Sequence, residues 1–283
     1  MKVVVLGANG QLGSEFAKFL KNKRDIKLFL LTHKELDIKN IELLYEKFSR
    51  ISPDVVINCA AYTNVEKAEK EQDKAFLVNA IGAKNAAIAA YKYNAKIVYF
   101  STDYVFDGQK KSPYTEFDRT NPISVYGLSK LEGEILTKEV NPNHLILRIS
   151  WLYGKNGKNF LRTINKVAKS NKILKIVSDQ IGTPTYTSDV VKQTWFLIKK
   201  DVSGLYHSSN EGKTTWFEFA KKFFELTNLN VEILPIKASE FKALAKRPEY
   251  SVLDNYLLKL EGLNIMRKWE KALEDFISNE WEE

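Results

Sequence analysis

Only one cysteine, Cys59, stands in the 283 residues. It cannot form an internal disulfide framework or a cysteine-rich zinc site, and the scarcity suits a reducing cytosol. Long apolar runs are also missing. No stretch approaches the roughly 18 to 20 residues that span a bilayer, and Met1-Lys2-Val3 leads directly into a strand-like run rather than a signal peptide. A cytoplasmic protein with no membrane partner is expected. Histidine is sparse, and His144 and His207 have no neighbours at metal-ligand spacing, so both read as structural. No internal repeat or low-complexity tract breaks the chain. Basic side chains outnumber acidic ones 43 to 35, but they lie on polar helix faces, as at Lys18, Lys21, Lys23, Lys199 and Lys200. No basic run is interleaved with aromatics, which argues against nucleic acid as a partner. A few of these charges would serve a diphosphate-bearing cofactor and substrate.

What is present is a regular alternation of short apolar runs and helical spacings in a chain long enough for one large domain plus a smaller one. Val3 to Leu6 runs into Gly7-Ala8-Asn9-Gly10-Gln11-Leu12-Gly13, and Glu15 to Leu20 then has helical apolar spacing. This is strand, glycine turn, helix, the arrangement in which free helix amides and close backbone approach hold a dinucleotide pyrophosphate. Ile26 to Leu31 reads as a second strand, buried on both faces of a parallel sheet. An NAD-selective site places an acid at the end of that strand, where this chain has Thr32-His33-Lys34. Thr32 and His33 are therefore candidate cofactor contacts, with NADPH favoured over NADH. Val55 to Ile57, Lys96 to Phe100 and Leu145 to Ile149 continue the strand series, and Gln72 to Tyr93 is one long helical pattern. The fold class is α/β, a doubly wound parallel sheet with a smaller C-terminal lobe. Residues 1–150 form the dinucleotide-binding domain, with 176–203 returning to it, and 151–175 with 204–283 form the substrate lobe.

Two segments carry candidate chemistry. Tyr126 and Lys130 lie four apart on a helical stretch, so both project from one face. A phenol with a reference pKa near 10 becomes a useful acid-base group when a neighbouring ammonium lowers that value. Twenty-four residues before Tyr126, Ser101-Thr102-Asp103-Tyr104 follows the fourth strand. The Thr102 hydroxyl can hydrogen-bond a substrate oxygen while Tyr126 gives or takes the proton. The loop from Asp107 to Ser124, rich in small and turn-forming residues, reads as a flap.

The glycine turn, Asn58-Cys59-Ala60-Ala61-Tyr62-Thr63-Asn64-Val65-Glu66-Lys67-Ala68-Glu69, Ser101 to Gly108, Tyr126-Gly127-Leu128-Ser129-Lys130 and Arg148 to Gly154 occur in that order. Gly182-Thr183-Pro184-Thr185 and Arg247-Pro248 extend the series. Together they resemble the extended short-chain dehydrogenase/reductase superfamily and, within it, the dTDP-4-dehydrorhamnose reductase family. The resemblance implies NAD(P)H-dependent reduction of the C4 ketone of a nucleotide-linked deoxysugar, with Thr102, Tyr126 and Lys130 catalytic and Lys130 also on the nicotinamide ribose. It further implies cofactor contacts from Asp37, Ile38, Ala60, Ala61, Tyr62 and Asn79. Substrate contacts would come from Thr63, Val65, Asp103, Tyr104, Trp151 and Arg247. Some family members are magnesium-bridged homodimers, and Glu15 falls at a position used there, although its carboxylate partners cannot be placed from this sequence.

Sister chemistries differ at one segment. Sugar-nucleotide 4,6-dehydratases carry Thr-Asp-Glu where this chain has Thr102-Asp103-Tyr104; elimination needs a second carboxylate that a ketone reduction does not. Two alternatives stay open. One is a reductase or epimerase of another nucleotide sugar; the other is a non-catalytic NADP-binding protein resembling the regulatory subunit of methionine adenosyltransferase.

Overall fold

The structure is a computed structural model that describes residues 1–241 and 243–281. Its centre is a six-stranded, wholly parallel sheet in the order Gly204–His207, His144–Ile149, Lys96–Thr102, Val55–Asn58, Lys2–Leu6, Lys27–Leu31. The inner strands are buried along their length, as continuous Val/Ile/Leu runs require when helices cover both sheet faces. Alternate residues feed two cores. Val3, Val5, Val55, Ile57, Leu145 and Leu147 pack with Phe16, Val190, Val191 and Trp195 from helices Gln11–Leu20 and Thr187–Lys199. Val4, Leu6, Val56 and Ile97 pack on the opposite side with Leu44 and Phe48 of helix Ile41–Ile51 and with the alanines of Ala83–Lys92. Strand order reverses between Lys2–Leu6 and Val55–Asn58, which places the ligand crevice of such a sheet at their carboxyl ends.

The long helical pattern expected from Gln72 is continuous but not uniform. A π-helical turn, Leu77–Gly82, is inserted between Gln72–Phe76 and Ala83–Lys92, a distortion frequent at functional sites. The strand expected to be buried on both faces, Ile26 to Leu31, is instead the sheet's edge: Lys27 and Leu30 are exposed, because a single neighbour, Lys2–Leu6, covers it.

A smaller lobe lies over the carboxyl edge. Its parallel strand pair, Ile173–Val177 with Glu232–Ile236, packs against helices Phe160–Ala168, Trp216–Leu226 and Trp269–Asn279. An aromatic core of Tyr153, Tyr186, Phe219, Phe223 and Phe276 fills the space between them. Helix Trp216–Leu226 is capped by Thr215, whose hydroxyl accepts from Glu218 N at 3.1 Å. Gly204–His207, expected in this lobe, is instead the sixth strand of the central sheet, registered on Leu145–Arg148. Leu258 and Met266 also join the sheet's core, so the chain crosses between lobes more often than its composition shows. Among the described residues, no helix is long and apolar enough to cross a membrane.

Candidate active site

The glycine turn lies at the strand-order reversal. Gly7 has φ +69°, and a Cβ there would sit 2.8 Å from Ala60 N, so the loops after the first and third strands are in contact. A Cβ on Gly13 would lie 2.2 Å from Gly7 O. Gly10 N donates to Gly7 O at 3.0 Å, and helix Gln11–Leu20 begins without a side-chain cap. Asn9, Gln11 and Leu12 thus stand on a turn at a helix N-terminus with no side-chain cap, the kind of terminus that suits an anion. Ala60 and Ala61 follow the third strand, and Asn79 in the π turn braces this loop: its Oδ1 accepts from Tyr62 N at 2.8 Å, while its Nδ2 donates to Tyr62 O and Ser129 Oγ, both at 3.0 Å. Both ends of the Asn79 amide are therefore taken by Tyr62 and Ser129.

At the adenosine end the chain departs from its sequence pattern. An acid does reach the end of the second strand. Glu35 folds back, and its Oε2 accepts from Thr32 N at 2.9 Å and Thr32 Oγ1 at 2.8 Å, contacts that hold its pKa below the usual carboxylate range. His33 is exposed and faces Asp37 at 3.9 Å, and Asp37 also meets Lys39 at 3.2 Å. Ile38 is buried against the helix carrying Gly82, where a Cβ would lie 2.7 Å from Ile38 Cδ1.

Strand Lys96–Thr102 brings Thr102 to the same edge. Thr102 Oγ1 donates to Asp103 Oδ1 at 3.0 Å and accepts from Tyr104 N at 3.2 Å, and the hydroxyl is near enough to the Tyr126 phenol to act on its pKa. The helix Val125–Val140 is capped by Ser124, which accepts from Gly127 N at 3.1 Å, and Tyr104 and Tyr126 meet edge to face at 5.7 Å. Burial pushes the Tyr126 phenol up to about 12; Asp103 adds to the rise and Thr102 opposes it. Burial likewise raises Asp103 to about 7 and lowers Lys130 to about 7, the latter opposed by Glu134. The Lys130 ammonium lies over the Tyr99 ring, 4.1 Å from its centroid, and its charge acts on Cys59. The expectation that Lys130 lowers the Tyr126 pKa is therefore corrected. Helical spacing puts the two side chains on one face, but desolvation dominates both groups and moves the phenol upward. Cys59 itself is a partly buried thiol raised by burial, with no sign of activation.

Beyond Tyr104 opens a cleft of about 1270 Å³ between the lobes. Lys110, Lys111, Lys175, Lys213, Lys246 and Arg247 line it together with Phe160 and Trp216. Arg247 ion-pairs with Glu66 at 2.5 Å, and its charge opposes the rise that burial imposes on the Tyr104 phenol. Thr63 and Val65 stand at the start of the short helix that carries Glu66. Trp151, with φ +42°, stacks face to face on Trp216 at 3.5 Å and 7°, and Gly182 leaves room for it, since a Cβ there would be 2.3 Å from the indole. Trp151 thus reaches the cleft through Trp216, a partner the sequence did not reveal. Glu66, Glu69 and Ser129 lie within the quoted motifs and Ser251 outside them, but no motif reveals their partners; each acts across 50 or more residues.

Within one chain the residues near Glu15 do not make up a magnesium site. Glu15 is buried beside Glu280, and burial followed by that second charge raises its pKa. The Glu280 carboxylate, however, pairs with the Lys18 ammonium. Among the described residues no three His, Cys, Asp or Glu side chains converge as metal ligands, whereas magnesium demands a near-octahedral oxygen shell.

Comparison with known proteins bears on the whole chain. A protein of Bacillus subtilis strain 168 named spore coat polysaccharide biosynthesis protein SpsK is 40% identical over 276 residues, 98% of this chain and 96% of its own. The crystal structure of a dTDP-4-dehydrorhamnose reductase from Clostridium acetobutylicum superposes with a TM-score of 0.96 at 45% identity, covering 98% of this chain and 99% of the other. The Bacillus anthracis dTDP-4-dehydrorhamnose reductase, solved in complex with NADP, gives a TM-score of 0.96 at 44% identity, with 98% of both chains covered. The family described as the RmlD substrate binding domain matches residues 1–281, and this chain, with its glycine turn, its Thr102 and Tyr126 pair and its cationic cleft on one sheet edge, belongs to it.

Proposed function

We propose that the protein is a dTDP-4-dehydrorhamnose reductase, an NAD(P)H-dependent oxidoreductase that reduces the C4 ketone of dTDP-4-dehydro-L-rhamnose to dTDP-L-rhamnose for polysaccharide precursors in the cytoplasm. The observation that carries this reading is the buried Thr102, Tyr104 and Tyr126 group at the sheet's carboxyl edge, where Tyr104 meets Tyr126 edge to face and the glycine turn lies at the same edge. Relatives named for the same reaction, one solved with NADP, support it.

Bound NAD(P)H supplies the hydride. Thr102 Oγ1 orients the carbonyl oxygen, and Tyr126 delivers the proton to that oxygen as negative charge develops on it. A phenol raised to about 12 arrives protonated, the form that reduction consumes. Lys130 holds the nicotinamide ribose, and its depressed pKa leaves part of its population neutral near pH 7. Arg247 and the cleft lysines bind the diphosphate, for which a guanidinium offers a bidentate fork. Trp151 and Trp216 present an aromatic wall to the sugar. An intact Thr102, Tyr126 and Lys130 set disfavours the regulatory-subunit reading.

The test is oxidation of NADPH and of NADH with freshly generated dTDP-4-dehydrorhamnose, followed by loss of reduced-cofactor absorbance. Turnover with release of dTDP-L-rhamnose is expected. Tight cofactor binding without turnover would remove this substrate assignment. A homodimer belongs to the same reading, and light scattering of the eluted protein decides it.

A further inference from the structure

The short helix Val65–Ala68 is fixed by Asn64, whose Oδ1 accepts from Lys67 N at 3.0 Å. Two acids on and beside it reach in different directions. Glu69 accepts from Val125 N at 2.9 Å, at the first residue of the Tyr126 helix. Glu66 crosses to the other lobe. Its Oε2 accepts from Leu244 N at 2.7 Å and Ala245 N at 3.4 Å, and its Oε1 accepts from Arg247 Nη2 at 2.5 Å. One carboxylate therefore gathers three donors from a segment 178 to 181 positions away. That segment forms part of the cleft wall through Ala243, Ala245, Lys246 and Arg247. The Arg247 charge also acts on the Tyr104 phenol, whose ring stands edge-on to Tyr126.

We infer that Glu66 is a positioning residue that latches the 243–247 segment across the cleft and aims Arg247 at the substrate. The inference rests on the reading that the cleft holds the nucleotide sugar. A partly exposed ion pair on its own adds little stability, and the Glu66 side chain is 40% exposed. Two backbone amides gripped by the same carboxylate do something different. They hold one conformation of a segment that would otherwise be ordered only when substrate arrives, a cost that pre-organisation removes from binding. Glu69, anchored to the catalytic helix from the same short element, makes the latch and the proton donor parts of one frame. Loss of the latch therefore weakens substrate binding more than it weakens the fold.

The experiment compares wild type with Glu66→Gln, Glu66→Asp, Arg247→Met and the Glu66→Gln/Arg247→Met double variant. Removing a charge-assisted contact of this kind is expected to raise KM for the nucleotide sugar about tenfold or more. KM for NADPH and the melting temperature should stay near wild type, Glu66→Asp should recover part of the loss, and the double variant should be little worse than Arg247→Met alone. An unchanged sugar KM with a lowered melting temperature, or fully additive effects, overturns the latch. A second readout needs no substrate: trypsin should cut between Lys246 and Arg247 faster in Glu66→Gln than in wild type, and equal rates overturn the inference. Should the wild type leave dTDP-4-dehydrorhamnose unreduced, the proposed function fails while the proteolysis result still decides the latch.

Discussion

The glycine turn, proposed as the cofactor side, and the cleft, proposed as the substrate side, are assembled from different kinds of material. On the cofactor side, Gly7, Gly10 and Gly13 lie within seven residues, and their turn needs little beyond its own backbone and the neighbouring loop at Ala60. On the substrate side, Lys110 and Lys111, Phe160, Lys175, Lys213 with Trp216, and Arg247 come from five separated stretches and meet only after two lobes pack. A local turn carries its chemistry in its spacing, because backbone conformation is set by adjacent residues. A wall gathered from distant segments has its chemistry set by packing, and a change in one segment is felt through the others.

The comparison can be broken most forcefully on the cofactor side. Gly13→Val places atoms where Gly7 O stands 2.2 Å from the first added carbon, and such overpacking costs about 3 kcal/mol or more. NADPH binding should weaken over a hundredfold by calorimetry, with circular dichroism reporting whether the sheet survives. Intermediate in size is the effect of Arg247→Met. Removal of its charge-assisted hydrogen bonds, worth about 1.5 to 3 kcal/mol, should raise KM for the nucleotide sugar about ten- to a hundredfold while KM for NADPH stays unchanged. Equal losses for both ligands would dissolve the separation between the two sides.

A smaller effect sharpens the account at the boundary between them. Burial lowers the Lys130 pKa from 10.5 to about 7, so between these values the unfolded chain holds a proton that the folded chain has released, and stability from this group rises with pH. Below about pH 7 the full penalty of a buried ammonium applies. Lys130→Met should therefore stabilise the fold by more than about 1.4 kcal/mol, the value of one pKa unit, at pH 6. The gain should shrink as pH climbs toward 10, while cofactor binding and turnover are lost. A gain constant with pH in thermal denaturation would show that burial of charge is not its source.

The same contrast explains what could be read in advance. The parallel α/β sheet follows from apolar runs at Val3, Val55 and Ile97 separated by helical spacings. Thr102, Tyr126 and the glycines stand out because each is close in sequence to the element that presents it. Lys130 shows the limit of spacing alone: its side of the helix was legible, but the direction of the Tyr126 shift depends on desolvation, which only the packed structure supplies. Glu35 was overlooked because its carboxylate folds back three residues to the strand end. The pairings of Trp216 with Trp151 and of Glu66 with Arg247 are not legible in sequence, because the partners are 65 and 181 residues apart. Gly204–His207 was assigned to the wrong lobe because four residues carry too little pattern to reveal pairing with His144–Ile149.

The central claim is that Tyr126 protonates the C4 oxygen beside Thr102. Its most direct test is single-turnover hydride transfer by wild type and Tyr126→Phe with NADPH and dTDP-4-dehydrorhamnose, together with the NADPH dissociation constant of each. The account predicts a rate lower by about 10²- to 10⁴-fold with cofactor binding retained. A variant that transfers hydride at the wild-type rate would contradict it and move the proton donor elsewhere, with buried Asp103 the first group to examine.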